Sequence, residues 1–208
     1  MRRLGCGGRR QEGGINLQIR QAKAALREVV GECLKALSAE ERAAASAQAR
    51  GLLVRQARWQ RAQSILFFAP LAGELDVWPL LAVALEAGKS VALPRFERHT
   101  KTYTACQIRS PKTDLHLGHF GIREPAAHCA PLAGTSLDLI LVPGVAFDWQ
   151  GHRLGRGKGY YDQLLAVMRG TRCGVAFDQQ IAEEVPVEAH DARMDCLLTP
   201  TRWMELRP

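Results

Sequence analysis

The sequence has no CxxC pair. Its six cysteines, Cys6, Cys33, Cys106, Cys129, Cys173 and Cys196, are scattered singly along 208 residues. That spacing excludes a zinc finger and gives no disulfide framework, so most are expected to be small buried residues in a reducing compartment. No apolar run approaches the roughly 18 residues needed to cross a bilayer. The opening MRRLGCGGRRQEGG lacks the apolar centre of a secretory signal and is expected as a disordered extension; an unusual organellar presequence is the alternative, though serine is absent. The expected compartment is the cytoplasm, with no membrane partner. Aromatic residues make up only 6% of the chain, and its first, basic third has no RNA-binding motif or stacking platform. One metal-like group, His116, His119, His128 and Cys129, falls in a stretch broken by Gly and Pro. With no preformed helix face there, loop histidines are favoured over a metal site.

What is present fits a globular chain: 47% hydrophobic and 24% charged residues, in a length suited to one domain. The net charge of +7 is uneven, with 13 Lys+Arg against 5 Asp+Glu in residues 1–62 and 15 against 16 in the rest. A basic third can serve an anionic ligand, or it can be a solvated helix face with a basic tail. Composition alone favours the second. Residues 1–14 are expected as a disordered basic extension and 15–208 as a single domain.

Residues 17–37 carry apolar positions at helical spacing behind Asn16, a candidate cap. Ser38-Ala39-Glu40-Glu41 is a capping box, predicting a second helix to about Trp59 and hence a helical hairpin. SILFFA (64–69), closed by Pro70, reads as a buried strand. Asp76 is expected to cap a helix through Ala87, and Lys89–Leu93 to form a strand closed by Pro94. YTACQI (103–108) alternates like a strand, while the prolines and glycines of 110–136 predict a long loop. LDLILV (137–142) is a central strand, followed by a helix at 160–168 and strands at 172–177 and 195–199. Strands alternating with helices predict an α/β fold, three layers α/β/α around a mainly parallel sheet. GVAFD occurs at 144–148 and 174–178, a coincidence rather than an internal repeat.

The stretch RLGRGKGYYD (153–162) sets Arg153, Arg156 and Lys158 between Gly155, Gly157 and Gly159. It runs from the end of the central strand to a helix start, where α/β sheets hold ligands. Glycines let backbone N–H groups approach oxygens, the helix N-terminus adds positive potential, and the cations neutralise the rest. The natural occupant is a polyphosphate. A P-loop would need Gly at 152, where His stands, and Ser or Thr at 159. The glycines at 155, 157 and 159 do not fit GxGxxG either. A carboxylate just past such a cradle, here Asp162, commonly holds Mg²⁺.

LVPGVAFDWQGHRLGRGKGYYD closely resembles the glycine-loop motif of the 5-formyltetrahydrofolate cyclo-ligase family. KAALR (23–27), FFAPLAGELD (67–76), LPRF (93–96), FGIREP (120–125), LDLILVPG (137–144) and VPVEAHDARMD (185–195) extend the likeness in order. The resemblance implies a fold similar to ribose-5-phosphate isomerase and CoA-transferase domains. It implies an enzyme that uses ATP and Mg²⁺ to convert 5-formyltetrahydrofolate to 5,10-methenyltetrahydrofolate, releasing ADP and phosphate. It places ATP on Lys23 and Arg27, and on Arg153, Leu154, Gly155, Arg156, Gly157, Lys158, Gly159, Tyr160 and Tyr161. Arg156 and Lys158 become the catalytic cations, Asp162 and Asp191 the Mg²⁺ positions, and Ala69 and Glu74 the folate contacts. Arg95 and His119 are weaker matches, and the two tyrosines either bind ligand or pack as helix core. The expected partners are ATP and the folate, polyglutamylated or not, acting on a monomer with no nucleic acid. Two other classes are consistent with parts of the chain. A sugar-phosphate isomerase on a related fold would leave the cationic loop unexplained, and a nucleic-acid binder would use only the basic third.

Overall fold

The computed structural model describes residues 8–118, 121–132, 134, 136–188 and 191–206, with side chains from Leu17 onward. His119 and His190 lie outside them. Two helices lead: α1 (Gly8–Lys35) and α2 (Ala39–Leu53), then a short α3 (Ala57–Arg61). β1 (Ser64–Leu66), α4 (Pro79–Glu86), β2 (Ser90–Glu97) and β3 (Thr102–Ile108) follow. Next come β4 (Leu115–Leu117), β5 (Arg123–Pro125), β6 (Ser136–Pro143), β7 (Ala146–Phe147) and β8 (Arg153–Leu154). α5 (Tyr160–Val167), β9 (Arg169–Val175), β10 (Cys196–Leu198) and β11 (Trp203–Glu205) complete the chain.

Seven strands form one sheet in the order β11-β10-β9-β6-β1-β2-β3. The inner five are mutually parallel, while β3 and β11 pair antiparallel at the two edges. Alternation along the strands divides the core. Ile65, Leu139 and Leu141 face α2, α3 and α4 through Leu53, Trp59 and Leu81. Leu66, Ile140 and Val142 face α5 through Leu164 and Leu165. With both faces covered, β6 is apolar nearly throughout its length, which is why it reads so clearly in sequence. The expected three-layer α/β/α arrangement is present.

A helix pair does precede the sheet, but α1 and α2 bury different surroundings. Val30 of α1 packs with Ala146, Leu154 and Val185, whereas Ala49 and Leu53 of α2 join the sheet core. The capping box at Ser38 forms as expected, with Ser38 Oγ accepting from the Glu41 amide at 3.2 Å and the Glu41 carboxylate accepting from the Ser38 amide at 2.8 Å.

Several local expectations give way to tertiary context. α1 starts at Gly8, ahead of Asn16, so residues 8–14 are helical where an unstructured extension was expected. Arg9, Arg10, Gln11 and Glu12 are good helix formers, which offsets part of the cost of about 1 kcal/mol per interior glycine at Gly13 and Gly14. α2 stops at Leu53 and Trp59 falls in the separate α3. Asp76 does not cap α4; its Oδ1 accepts from the Trp78 amide in a turn, and Pro79 takes the first helical position. Pro94 lies inside β2, paired with Ala105 of β3. β1 pairs with β2 only as far as Ala92, so the proline sits where one side of the strand is open. Within 110–136, β4 and β5 pair as a hairpin.

Asp138 on β6 fastens the start of β1. Its Oδ2 accepts from the Gln63 and Ser64 amides at 2.8 and 2.9 Å, and these bonds hold the carboxyl below its ordinary range. A depressed folded-state value means stability that is present above the unfolded value, near pH 4, and lost as pH falls through the folded one. Asp138→Asn should therefore lower the melting temperature at pH 7, and the difference should shrink as pH falls below about 4 and through the depressed folded-state value. Thermal melts of both proteins across that range check it; parallel curves would show that this carboxylate plays no such part. No helix among the described residues is long and apolar enough to cross a membrane.

Candidate functional site

The sheet changes direction between β1 and β6: the chain continues from β1 to β2 on one side, and β6 leads to β9 on the other. At such a point the loops leaving the strand ends part and open a crevice. Here Phe68 and Ala69 follow β1, Pro143 and Gly144 end β6, and they line a cleft of about 340 Å³. Tyr103 of β3 and Tyr160 of α5 meet edge-on at 5.9 Å between ring centroids, giving the cleft an aromatic wall. Burial pushes the Tyr103 hydroxyl up to about 12, so it stays protonated and can donate.

The opposite wall is the glycine stretch. β7 and β8 pair as a hairpin at its root, pinned by Asp148, which is fully buried. Asp148 accepts from the Gln150, His152 and Val185 amides and pairs with the His152 ring, tying the hairpin to the chain at Val185. Beyond β8 the chain turns on Gly157 (φ 93) and Gly159 (φ 69), left-handed positions that favour glycine, and enters α5. Lys158 is exposed between them, Arg156 is exposed just before Gly157, and both line the cleft.

A second space of about 270 Å³ lies on the α1 side of this loop, lined by Arg27, Gly144, Arg156 and Gln180. Arg27 reaches across from α1 and donates to the Gly155 carbonyl at 2.9 Å. Arg156 belongs to both spaces, as does Glu74, whose Oε1 accepts from Arg156 Nη2 at 2.9 Å. The other Glu74 oxygen accepts from the Leu71 amide at 3.0 Å. A carboxylate and a cationic glycine loop thus share one boundary between two connected cavities.

The family model for the 5-formyltetrahydrofolate cyclo-ligase family matches residues 19–200, nearly all of the described domain. The chain belongs to that family. The mouse 5-formyltetrahydrofolate cyclo-ligase is 31% identical over 196 residues, covering 86% of this chain and 94% of the relative. The Escherichia coli K12 enzyme of the same name is 32% identical over 148 residues, covering 69% and 81%. The NMR structure of Aquifex aeolicus 5,10-methenyltetrahydrofolate synthetase superposes with a TM-score of 0.80 at 35% identity, over 89% of this chain and 93% of that one.

Measured against the family's expected positions, most of the cyclo-ligase loop falls together. Ala69, Glu74, Gly155, Arg156, Lys158, Gly159, Tyr160 and Asp162 all line the main cleft. Leu154 does not. Its side chain packs with Val30, Ala146 and Val185 in the core beneath, because β8 alternates and turns it away, so only its backbone is available to a ligand. Arg153 borders the cleft, but it is 5% exposed and already engaged, bonding Asp162 Oδ1 at 2.5 Å and the Pro143 carbonyl. It braces the loop. Tyr161 lies within 5.9 Å of the Arg153 guanidinium, and burial holds its hydroxyl well above its ordinary value.

Lys23 and Asp191, expected to hold phosphate and metal respectively, bond each other at 2.6 Å. Lys23 also meets Glu188 at 2.8 Å, and these contacts raise its pKa against the opposing cost of burial. Sequence reasoning did not single out Glu188, Tyr103, Gln180 or Arg123 as site residues. Glu188 and Arg123 lie inside the quoted family segments, and Tyr103 lies in the alternating strand, but a partner 165 residues away leaves no local signal.

The metal-like group that the sequence reading set below loop histidines lies partly outside the described residues, at His119, and its described part sits in a turn. His116 is not part of the close group; Asp114, His128 and Cys129 are the donors that approach one another. Asp114 accepts from the Arg109 and Ser110 amides, and burial together with the Asp114 charge raises the Cys129 thiol. That arrangement orders the loop before β4 and disfavours the thiolate a metal needs.

Proposed function

We propose that this chain catalyses the ATP-dependent closure of 5-formyltetrahydrofolate to 5,10-methenyltetrahydrofolate. The observation that carries the reading is the shared boundary at Glu74 and Arg156, with an aromatic-walled cleft on one side and the α1-facing space on the other. The folate occupies the cleft, its pterin N–H groups donating to Glu74. ATP lies over the glycine loop toward α1, within reach of Arg27 and Lys158.

The reaction needs a poor electrophile made good. The formyl oxygen attacks the γ-phosphorus and ADP leaves, giving an iminium phosphate. The folate N10 lone pair then adds to the activated carbon, N10 loses its proton, and the C–O bond breaks to release inorganic phosphate. Lys158 and Arg156 follow the charge of the transferring phosphoryl group, while Tyr103 and Tyr160 hold the rings and exclude water.

Asp162 and Asp191 supply the hard carboxylate oxygens that Mg²⁺ takes, and each is balanced by a cation, Arg153 and Lys23 respectively. Their chemistry fits the metal. Bound there with ATP, Mg²⁺ would neutralise phosphate charge and leave Lys23 to the polyphosphate.

Mixing protein, ATP, Mg²⁺ and 5-formyltetrahydrofolate should raise the methenyl-folate absorbance and release one phosphate per product. Omitting ATP or adding EDTA should abolish both signals. Product formed without ATP would end the phosphorylation mechanism, and EDTA-resistant turnover would end the metal assignment.

A further inference from the structure

The main cleft opens into a third space that the scheme above leaves unused. It measures about 410 Å³ and shares Leu71, Glu74 and Arg123 with the cleft. Three arginines line it: Arg42 and Arg50 from α2, and Arg123 from β5. Two acids also line it, but both are turned to other work. Glu74 serves Arg156 and the Leu71 amide. Asp76 accepts from the Trp78 amide and lies 3.9 Å from Arg50, which also donates to the Asp76 carbonyl. Arg42 and Arg123 have no acidic partner among the described residues. Arg42 gives one nitrogen to the Leu34 carbonyl, and its buried Nε has no hydrogen-bond partner among the described residues. Arg123 lies over the Trp78 ring, its Cζ 5.1 Å from the centroid, a cation–π contact that holds the guanidinium at the groove.

We infer that this arginine groove is a carboxylate subsite for the glutamyl tail of the folate. The inference rests on the proposed activity, because it takes the pterin to occupy the adjoining cleft. A folate is a flat ring system joined to a glutamate whose α- and γ-carboxylates extend beyond it. With the rings against Tyr103 and Glu74, the continuation past Leu71 and Arg123 carries those carboxylates to planar guanidinium donors. Arg123, Leu71 and Glu74, which line both spaces, thereby gain a reason to lie together.

The test compares three compounds: 5-formyltetrahydropteroate, which lacks the glutamate, 5-formyltetrahydrofolate, and its γ-linked triglutamate. Two variants alter only the groove. Arg42→Gln removes a cation, and Ala43→Glu adds a carboxylate at an exposed helix position that tolerates it. Calorimetry without ATP should show the parent binding the folate about tenfold or more tighter than the pteroate. Both variants should shrink that ratio several-fold, most for the triglutamate, with pteroate binding and kcat unchanged. Equal binding of the three compounds by the parent, or a uniform loss across all three in Ala43→Glu, overturns the groove. Tail-dependent binding with no turnover of any compound would instead keep the groove and sink the activity.

Discussion

Lys158→Ala should lower kcat by about 10²–10³-fold while leaving folate binding and thermal stability near the parent's. The size follows from position. Lys158 stands exposed between two left-handed glycines at the edge of the main cleft. It is also uncommitted: Lys23 is bonded to Glu188 and Asp191, Arg27 to Gly155, Arg153 to Asp162 and Arg156 to Glu74. Among the described residues Lys158 forms no ion pair, so its removal strands no buried partner and costs the fold little. The expected loss appears where phosphoryl charge is redistributed. Single-turnover rates at saturating ATP, with equilibrium titration of folate, separate the two. A normal single-turnover rate with weakened folate binding would move Lys158 to the substrate side of the cleft.

Asp162→Asn should fail in two ways at once. Its carboxylate is the acidic partner of Arg153, whose side chain is 3% exposed. Neutralising it leaves that guanidinium with neutral acceptors only, the Pro143 carbonyl and the new amide oxygen, and no counter-charge. Removing one member of a buried ion pair costs about 3–5 kcal/mol, which for a chain of this size is roughly a 6–20 °C fall in melting temperature. A helix start tolerates Asn, so the destabilisation would come from the charge and not from the backbone. Activity should fall further than stability explains. Assays well below the melting transition should still show strongly depressed turnover and a weaker response to added Mg²⁺. An unchanged melting temperature would mean that Arg153 needs no counter-charge, and unchanged Mg²⁺ dependence would remove Asp162 from the metal.

What the sequence showed was what is local or repeated. β6 could be read because both faces are buried and the run is therefore continuous. The capping box could be read because all its partners lie within four residues. The glycine loop could be read because left-handed turns demand glycine at fixed places. What escaped depends on distant neighbours. Whether Pro94 ends a strand depends on where β1 stops pairing, and LPRF does not contain that fact. Leu154 and Arg153 are adjacent residues of a ligand motif, yet one is core and the other a brace. Their roles are set by α1 and α5 packing on either side. Lys23 looked like a free helix cation because Glu188 and Asp191 arrive from the far end of the chain.

Glu74 borders the main cleft, the α1-facing space and the arginine groove alike. Its carboxylate is held on one side by Arg156 and on the other by the Leu71 amide. On the proposed placement, a nucleotide drawing Arg156 toward its phosphates would take away the cation on Glu74 Oε1 and leave that oxygen a stronger acceptor for a pterin. By linkage the exchange is reciprocal: the factor by which ATP tightens folate is the factor by which folate tightens ATP. On the proposed placement of the two ligands, one side chain at a junction of three cavities would make the substrates cooperative without any movement of the sheet.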